Sequence, residues 1–335
     1  MTENIQAEQW LVEQRTRELT AVSKATLKRT LVKLAIFAAV MVLNDIFFSR
    51  FVVWLFVMCG AAELPYDALY LVNWILNDIC VYLLPATSLM VIFHRELREK
   101  VACIRYHDYK WGRELICCFS AMLFAGSMAS IITNIIASIL DSLFGTGEIE
   151  DAMAGVAPEN DVNFLVFFIF ICAIGPVCEE IIFRHLMLKP LRRCGDGVAV
   201  LITAFLFGVY HGNFDQFPYA FAVGIFLGLI AVRSNSLLPS TILHVVNNTM
   251  VAFGQYLSDA LGENDVTLAV ESGINIAYSL LYYAGIAGFV VLLVSKKFKF
   301  YNYGLPLKWK NKLKISFCHP ATYIAIALAA VMFIY

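Results

Sequence analysis

Nine apolar stretches, each long enough or nearly long enough to cross a bilayer as a helix, limit what this chain can fold into. They cover residues 31–57, 67–93, 114–143, 162–190, 197–212, 216–233, 238–257, 268–295 and 319–335. Crossing about 30 Å of hydrocarbon takes about 20 apolar residues in a helix, because no water is present there to satisfy a backbone group left unpaired. The fifth and the last stretch are short by that measure. Hydrophobic residues make up 60% of the chain and charged ones 15%, against about 45–50% and about 25% in a soluble domain. The expected fold is all-α: a polytopic transmembrane helical bundle of about eight or nine spans, with the lipid bilayer as its solvent.

The charges orient the spans. Basic clusters run from Arg15 to Lys33, Arg95 to Arg113, Lys189 to Arg193, at Arg233, and from Lys296 to Lys314, at every second connection. The alternate connections are acidic or neutral, with Glu63 to Asp67, Glu148 to Asp161 and Asp259 to Asp265. By the excess of Lys and Arg on cytoplasmic loops, this places the N-terminus in the cytoplasm. Residues 1–29, polar and without an apolar core before a small-residue cleavage site, read as a cytosolic amphipathic helix and not as a cleaved signal. Residues 94–113 read as a basic interfacial helix. A net charge of −1 and a pI near 6.6 give no basic excess for nucleic acid, and the nine cysteines lie mostly in apolar runs, without a C-x-x-C pair. They read as small hydrophobes.

Polar side chains inside these stretches carry the functional signal, since each charge in a transmembrane helix costs roughly 2.5–3.5 kcal/mol on insertion. The fourth stretch contains Gly175-Pro176-Val177-Cys178-Glu179-Glu180-Ile181-Ile182-Phe183-Arg184. Glycine and proline loosen the helix one turn before the acids. Glu180 and Arg184, at i,i+4, share a face, while Glu179 points elsewhere, about 100° around the helix. A buried polar staple between helices is the bland reading. Against it, twin acids with one nearby base leave a carboxylate uncompensated, which suits a general base. The fifth stretch ends Phe207-x-x-x-His211, and the seventh holds His244-x-x-x-Asn248, each pair on one helical face. A single membrane histidine is ordinarily a packing residue. Two histidines and an asparagine on separate helices, following a paired-glutamate segment, are less economically explained so. Gly224 and Gly228 form a G-x-x-x-G suited to close helix packing. Asp45, Arg50 and Asp78 read as mutual partners between the first two helices or as residues near a helix end, and Cys178, in apolar surroundings, is not an activated nucleophile.

In this order and in hydrophobic helices, Glu179-Glu180-x-x-x-Arg184, Phe207-x-x-x-His211 and His244-x-x-x-Asn248 resemble the CAAX protease and bacteriocin-processing (CPBP, or Abi) family of intramembrane peptidases. The resemblance spans roughly 162–255. It implies a catalytic core at 162–257, preceded by a cytosolic segment at 1–30 and N-terminal transmembrane helices at 31–160, and followed by C-terminal helices at 258–335. By position it implies that Glu179 activates a water with help from His211, that His244 and Asn248 donate to the oxyanion, and that Glu180 and Arg184 orient the base. The substrate would be a peptide or membrane protein, with no nucleic acid involved. The family is often labelled a metalloprotease, and Glu179, His211 and His244 could form a zinc site. No H-E-x-x-H is present, so a cofactor-free glutamate mechanism is the preferred expectation. Two other functions stay open. One is a non-catalytic scaffold or regulator that keeps the core, and the other is a transporter whose path runs through Asp45, Arg50, Asp78, Glu179, Glu180 and Glu271.

Overall fold

The computed structural model describes residues 2–60, 63–99, 111–145, 161–261, 265–294 and 307–332. The expected interfacial helix at 94–113 lies largely outside these residues.

Among the described residues all regular structure is helical, and each of the nine apolar stretches falls on a helix or a helical run. The first is one rod, α1 (Thr2–Leu43), carried on through a π-helical turn at Asn44–Ser49 into α2 (Arg50–Met58). The polar N-terminal segment is therefore continuous with the first span. The second stretch comprises α3 (Tyr66–Asp78), a π-helical turn at Ile79–Leu83 and α4 (Leu84–Ile92), with α5 (His94–Arg98) after it. The third is α6 (Trp111–Phe144). The fourth is broken twice, as α7 (Asp161–Ile169), a π-turn at Phe170–Ile174, α8 (Gly175–Glu180), a π-helical run at Ile181–Leu188 and α9 (Lys189–Leu191). Next come α10 (Asp196–Tyr210), α11 (Gln216–Ser234), α12 (Leu238–Leu261), α13 (Asp265–Val294), α14 (Trp309–Cys318) and α15 (Pro320–Met332).

Among the described residues, five helical runs are long and apolar enough to cross a membrane: Gln9–Met58, Tyr66–Ile92, Trp111–Phe144, Val162–Cys194 and Gln216–Ser234. A sixth arises if α14 and α15, bent by 64° at their junction, count as one span. The count is lower than the sequence suggests because α10, α12, α13 and α15 are not among these runs, and for two of them the reason is visible. Helix α10 has only 15 residues, and the last stretch is half of a bent pair with α14, whose lysines dilute its hydropathy. The chain is an integral membrane protein built as a helical bundle.

Helix α11 sits centrally, packed on α10, α6 and α12. Its contact with α10 depends on the predicted small-residue pair. A Cβ at Gly224 would lie 3.1 Å from the Ala204 Cα, and one at Gly228 would lie 3.3 Å from a Val200 methyl. The membrane-surface ends are tied by buried polar links. Arg233, ending α11, donates from Nε and Nη2 to the two oxygens of Glu114 in α6, at 2.5 and 2.8 Å. Arg192 bonds Asp196 at 2.8 Å and Asn235 at 3.1 Å, and Lys312 of α14 donates to the Cys194 carbonyl at 2.6 Å. Lys33 of α1 grips Glu96 at 2.6 and 2.8 Å.

Candidate active site

The site starts from Pro176. The Gly175 N–H reaches back five residues to the Phe170 carbonyl, which is the π-helical spacing. Proline has no N–H to give, so the Ile171 carbonyl is left without the donor that the same spacing would supply. The Asn248 side chain provides it, donating from Nδ2 at 3.0 Å. The loosened turn thus docks α12 onto the fourth span. A relay fixes the amide: the Tyr219 hydroxyl donates to Asn247 Oδ1 at 2.9 Å, and Asn247 Nδ2 donates to Asn248 Oδ1 at 3.3 Å. Tyr219 fits because its partner position on α6 is glycine. A Cβ at Gly126 would come within 2.7 Å of the tyrosine ring.

One turn earlier on α12, His244 stands between the two carboxylates. Its Nδ1 is 3.2 Å from Glu180 Oε1 and its Nε2 is 3.6 Å from Glu179 Oε2. With a proton on each ring nitrogen, the imidazole would donate toward both acids. Glu180 is fully buried, and its Oε2 lies 3.5 Å from Arg184 Nε. The Glu179 side chain keeps 12% of its surface open, so it is the acid that solvent or substrate can reach. Its Oε2 has no hydrogen-bond partner among the described residues, and its Oε1 accepts from the Tyr82 hydroxyl at 3.2 Å.

Tyr82 comes from the π-turn of the second span and reaches Glu179 because residue 175 is glycine. A Cβ there would lie 3.0 Å from the phenolic oxygen and 3.0 Å from the Phe170 carbonyl. The Tyr210 hydroxyl donates to the neighbouring Val81 carbonyl, tying α10 to the same turn. Asp78 also faces this region. Its Oδ2 is buried without a hydrogen-bond partner among the described residues, and it lies within electrostatic reach of Glu179. This sets aside a partnership of Asp78 with Asp45 and Arg50 and leaves Asp78 as the residue that ends α3. Asp45 and Arg50 line a separate open cleft with Ser49, Val53 and Trp54. Asp45 lies within the π-helical turn after α1, which alters the side-chain phase that an α-helical reading assumes.

His211 ends α10. Its Nδ1 is 2.8 Å from the Phe207 carbonyl, so in the neutral ring that nitrogen donates and Nε2 is left as an acceptor. The Phe207 ring meets the His211 ring edge-on at 5.0 Å and the His244 ring at 5.6 Å, and the Arg184 guanidinium lies 4.9 Å over it. That contact supplies attraction to a cation whose three nitrogens lack hydrogen-bond partners. Glu179, Glu180, Arg184 and His244 thus form one cluster. Asn248 is held one turn from His244, and His211 joins through Phe207 without forming an ion pair among the described residues.

Residues 161–250 match the family described as type II CAAX prenyl endopeptidase Rce1-like. The chain is also 22% identical, over 216 residues, to the membrane-embedded CAAX protease MroQ of Staphylococcus aureus (strain USA300), a match covering 61% of this chain and 80% of that protein. Both matches support the resemblance of residues 161–250 to the CPBP family of membrane peptidases. No solved structure matches it.

Every one of the six polar positions read from the CPBP motifs lies within the matched segment, whereas Tyr82 and Asp78 come from outside it. A tyrosine in an apolar helix gives no signal by itself. Tyr219 and Asn247 were equally silent, although Asn247 adjoins Asn248 in the same motif. A zinc site would require His211 to join Glu179 and His244, and among the described residues no three His, Cys, Asp or Glu side chains are gathered closely enough to hold a metal ion. This donor arrangement does not fit the metal.

Proposed function

We propose that the protein is an intramembrane endopeptidase that hydrolyses a peptide bond of a membrane-associated protein or peptide by a metal-free, glutamate-based mechanism. The observation that carries this reading is the imidazole of His244 set between a buried carboxylate and a reachable one. Glu180, itself paired with Arg184, meets the ring at Nδ1, leaving Nε2 directed toward Glu179 and the space beside it.

In this mechanism Glu179 takes a proton from water, and the hydroxide adds to the scissile carbonyl. His244 Nε2–H and the second Nδ2–H of Asn248 donate to the tetrahedral oxyanion; the first is committed to Ile171. Collapse breaks the C–N bond, and Glu179 returns its proton to the leaving amine. His211, through Nε2, would help hold the attacking water. Preorganised donors in a low-dielectric pocket are the largest contribution expected in such chemistry. Tyr82 donates to the oxygen of Glu179 that faces away from His244 and thereby sets the orientation of the base. Residues 162–257 would form the catalytic core in a bacterial cytoplasmic membrane, with the N-terminus in the cytoplasm.

Comparison of membrane peptidomes from cells carrying the native protein and Glu179→Gln tests the reading. Substrates should persist uncleaved in the variant. Full function of Glu179→Gln would instead favour a non-catalytic regulator that keeps the CPBP core. For the metal question, stoichiometric zinc in purified protein, together with loss of activity on chelation, would overturn the metal-free mechanism.

A further inference from the structure

Beyond the catalytic cluster, a second cavity of about 230 Å³ opens where the fourth span ends, α11 ends and α12 begins. Its lining includes Arg184, His185, Lys189, Arg192, Asn235 and Ser236, and no acidic side chain. Two of the cations are already neutralised, Arg184 by Glu180 and Arg192 by Asp196. Lys189 is not, having no ion-pair partner among the described residues. His185 lies four residues before it and is exposed, offering a ring N–H to the same opening.

The rest of the wall is apolar or neutral, formed by Leu188, Ala231, Val232, Asn235, Ser236 and Leu237. Arg192 also holds Asn235, whose backbone is left-handed at φ 52°, and this fixes the connection between α11 and α12. Ser236 accepts the Leu238 N–H at 3.3 Å, so the positive end of a 24-residue helix abuts the cavity and favours an anion. The volume falls below the roughly 300–1,000 Å³ of a drug-sized pocket and suits a headgroup. Because two membrane-crossing runs end here and α12 begins, the opening lies at the depth where lipid phosphates sit.

We propose that this cavity binds a phosphate group, supplied in the membrane by the headgroup of an anionic phospholipid, with Lys189 as its charge partner and His185 as a hydrogen-bond donor. The proposal does not rest on the peptidase reading, and its test needs no turnover.

Full-length protein in neutral detergent is exposed to phosphatidylglycerol or to diacylglycerol with the same chains, and retained lipid is counted by native mass spectrometry. In parallel, inorganic phosphate is titrated against thermal unfolding. Retention of phosphatidylglycerol but not diacylglycerol, weakened about tenfold or more by Lys189→Gln and restored by Lys189→Arg, is the expected result and identifies the lipid as the source. Saturable stabilisation by phosphate alone, lost in Lys189→Gln, would assign the same site to the free ion. Equal retention of both lipids without a phosphate effect, or binding unchanged in Lys189→Gln, overturns the proposal. Lys189→Gln should melt at the native temperature when neither ligand is present, which separates loss of binding from loss of fold.

Discussion

Among the described residues, one buried glutamate–arginine pair joins two helices and another lies along a single span, and they are built to opposite specifications. Between Glu114 and Arg233 both carboxylate oxygens accept from the guanidinium, at 2.5 and 2.8 Å. Between Glu180 and Arg184 the closest approach is 3.5 Å, the arginine rests on the face of Phe207, and Glu180 spends its other oxygen on His244. A saturated pair of the first kind holds elements together, since removing one partner would strand a buried charge. The second is under-bonded. Its spare capacity is distributed among groups that could meet a developing charge, as a reacting site requires and a staple does not. The bland interpretation of the motif glutamates as a polar staple fits the first pair, which the motif does not contain, better than the second.

The contrast can be broken by separating activity from stability. The largest effect should come from Glu179→Gln, which removes the base and should lower turnover about 10²–10⁴-fold while the thermal midpoint stays at the native value. An equal loss of both would make Glu179 structural. Glu114→Ala should do the reverse, destabilising the fold by about 3–5 kcal/mol with unchanged activity per folded molecule, measured by denaturation alongside peptide cleavage. Asn248→Ala should lose about 10²–10³ in kcat as an oxyanion donor. It should also destabilise modestly, because the Ile171 carbonyl goes unsatisfied, and a purely structural Asn248 would show the second effect alone. Smallest is Tyr82→Phe, expected to lower kcat about tenfold and to move its pH dependence, since one hydrogen bond to Glu179 is lost. Gly175→Ala, which pushes Tyr82 aside, should reproduce that shift.

The helical bundle was legible because apolar length is a strong signal, and the site's polar residues were legible because they are costly in lipid. Glu179, Glu180, Arg184, His211, His244 and Asn248 stand out against their neighbours for that reason alone. What the sequence hides is phase. Asp45 lies inside the π-helical turn after Leu43 and Asp78 ends α3 before another such turn, and neither interruption of the α-helix is announced by the residues around it. Tyr82 was invisible for a related reason: an aromatic side chain in an apolar helix is unremarkable until its hydroxyl is seen to have one place to go. The partnership of Glu114 with Arg233 spans 119 residues, and nothing local in either helix announces it.

The brevity of α10 has its own consequence. Fifteen residues at about 1.5 Å each cover about 22 Å, several ångströms less than the hydrocarbon layer, and His211 caps that end. Local thinning of the bilayer is one way to match so short a hydrophobic element, and it would draw the aqueous boundary down toward the histidine. For the proposed hydrolysis inside lipid, which needs water as its second reactant, a truncated helix would supply it without opening a channel or breaking a backbone hydrogen bond.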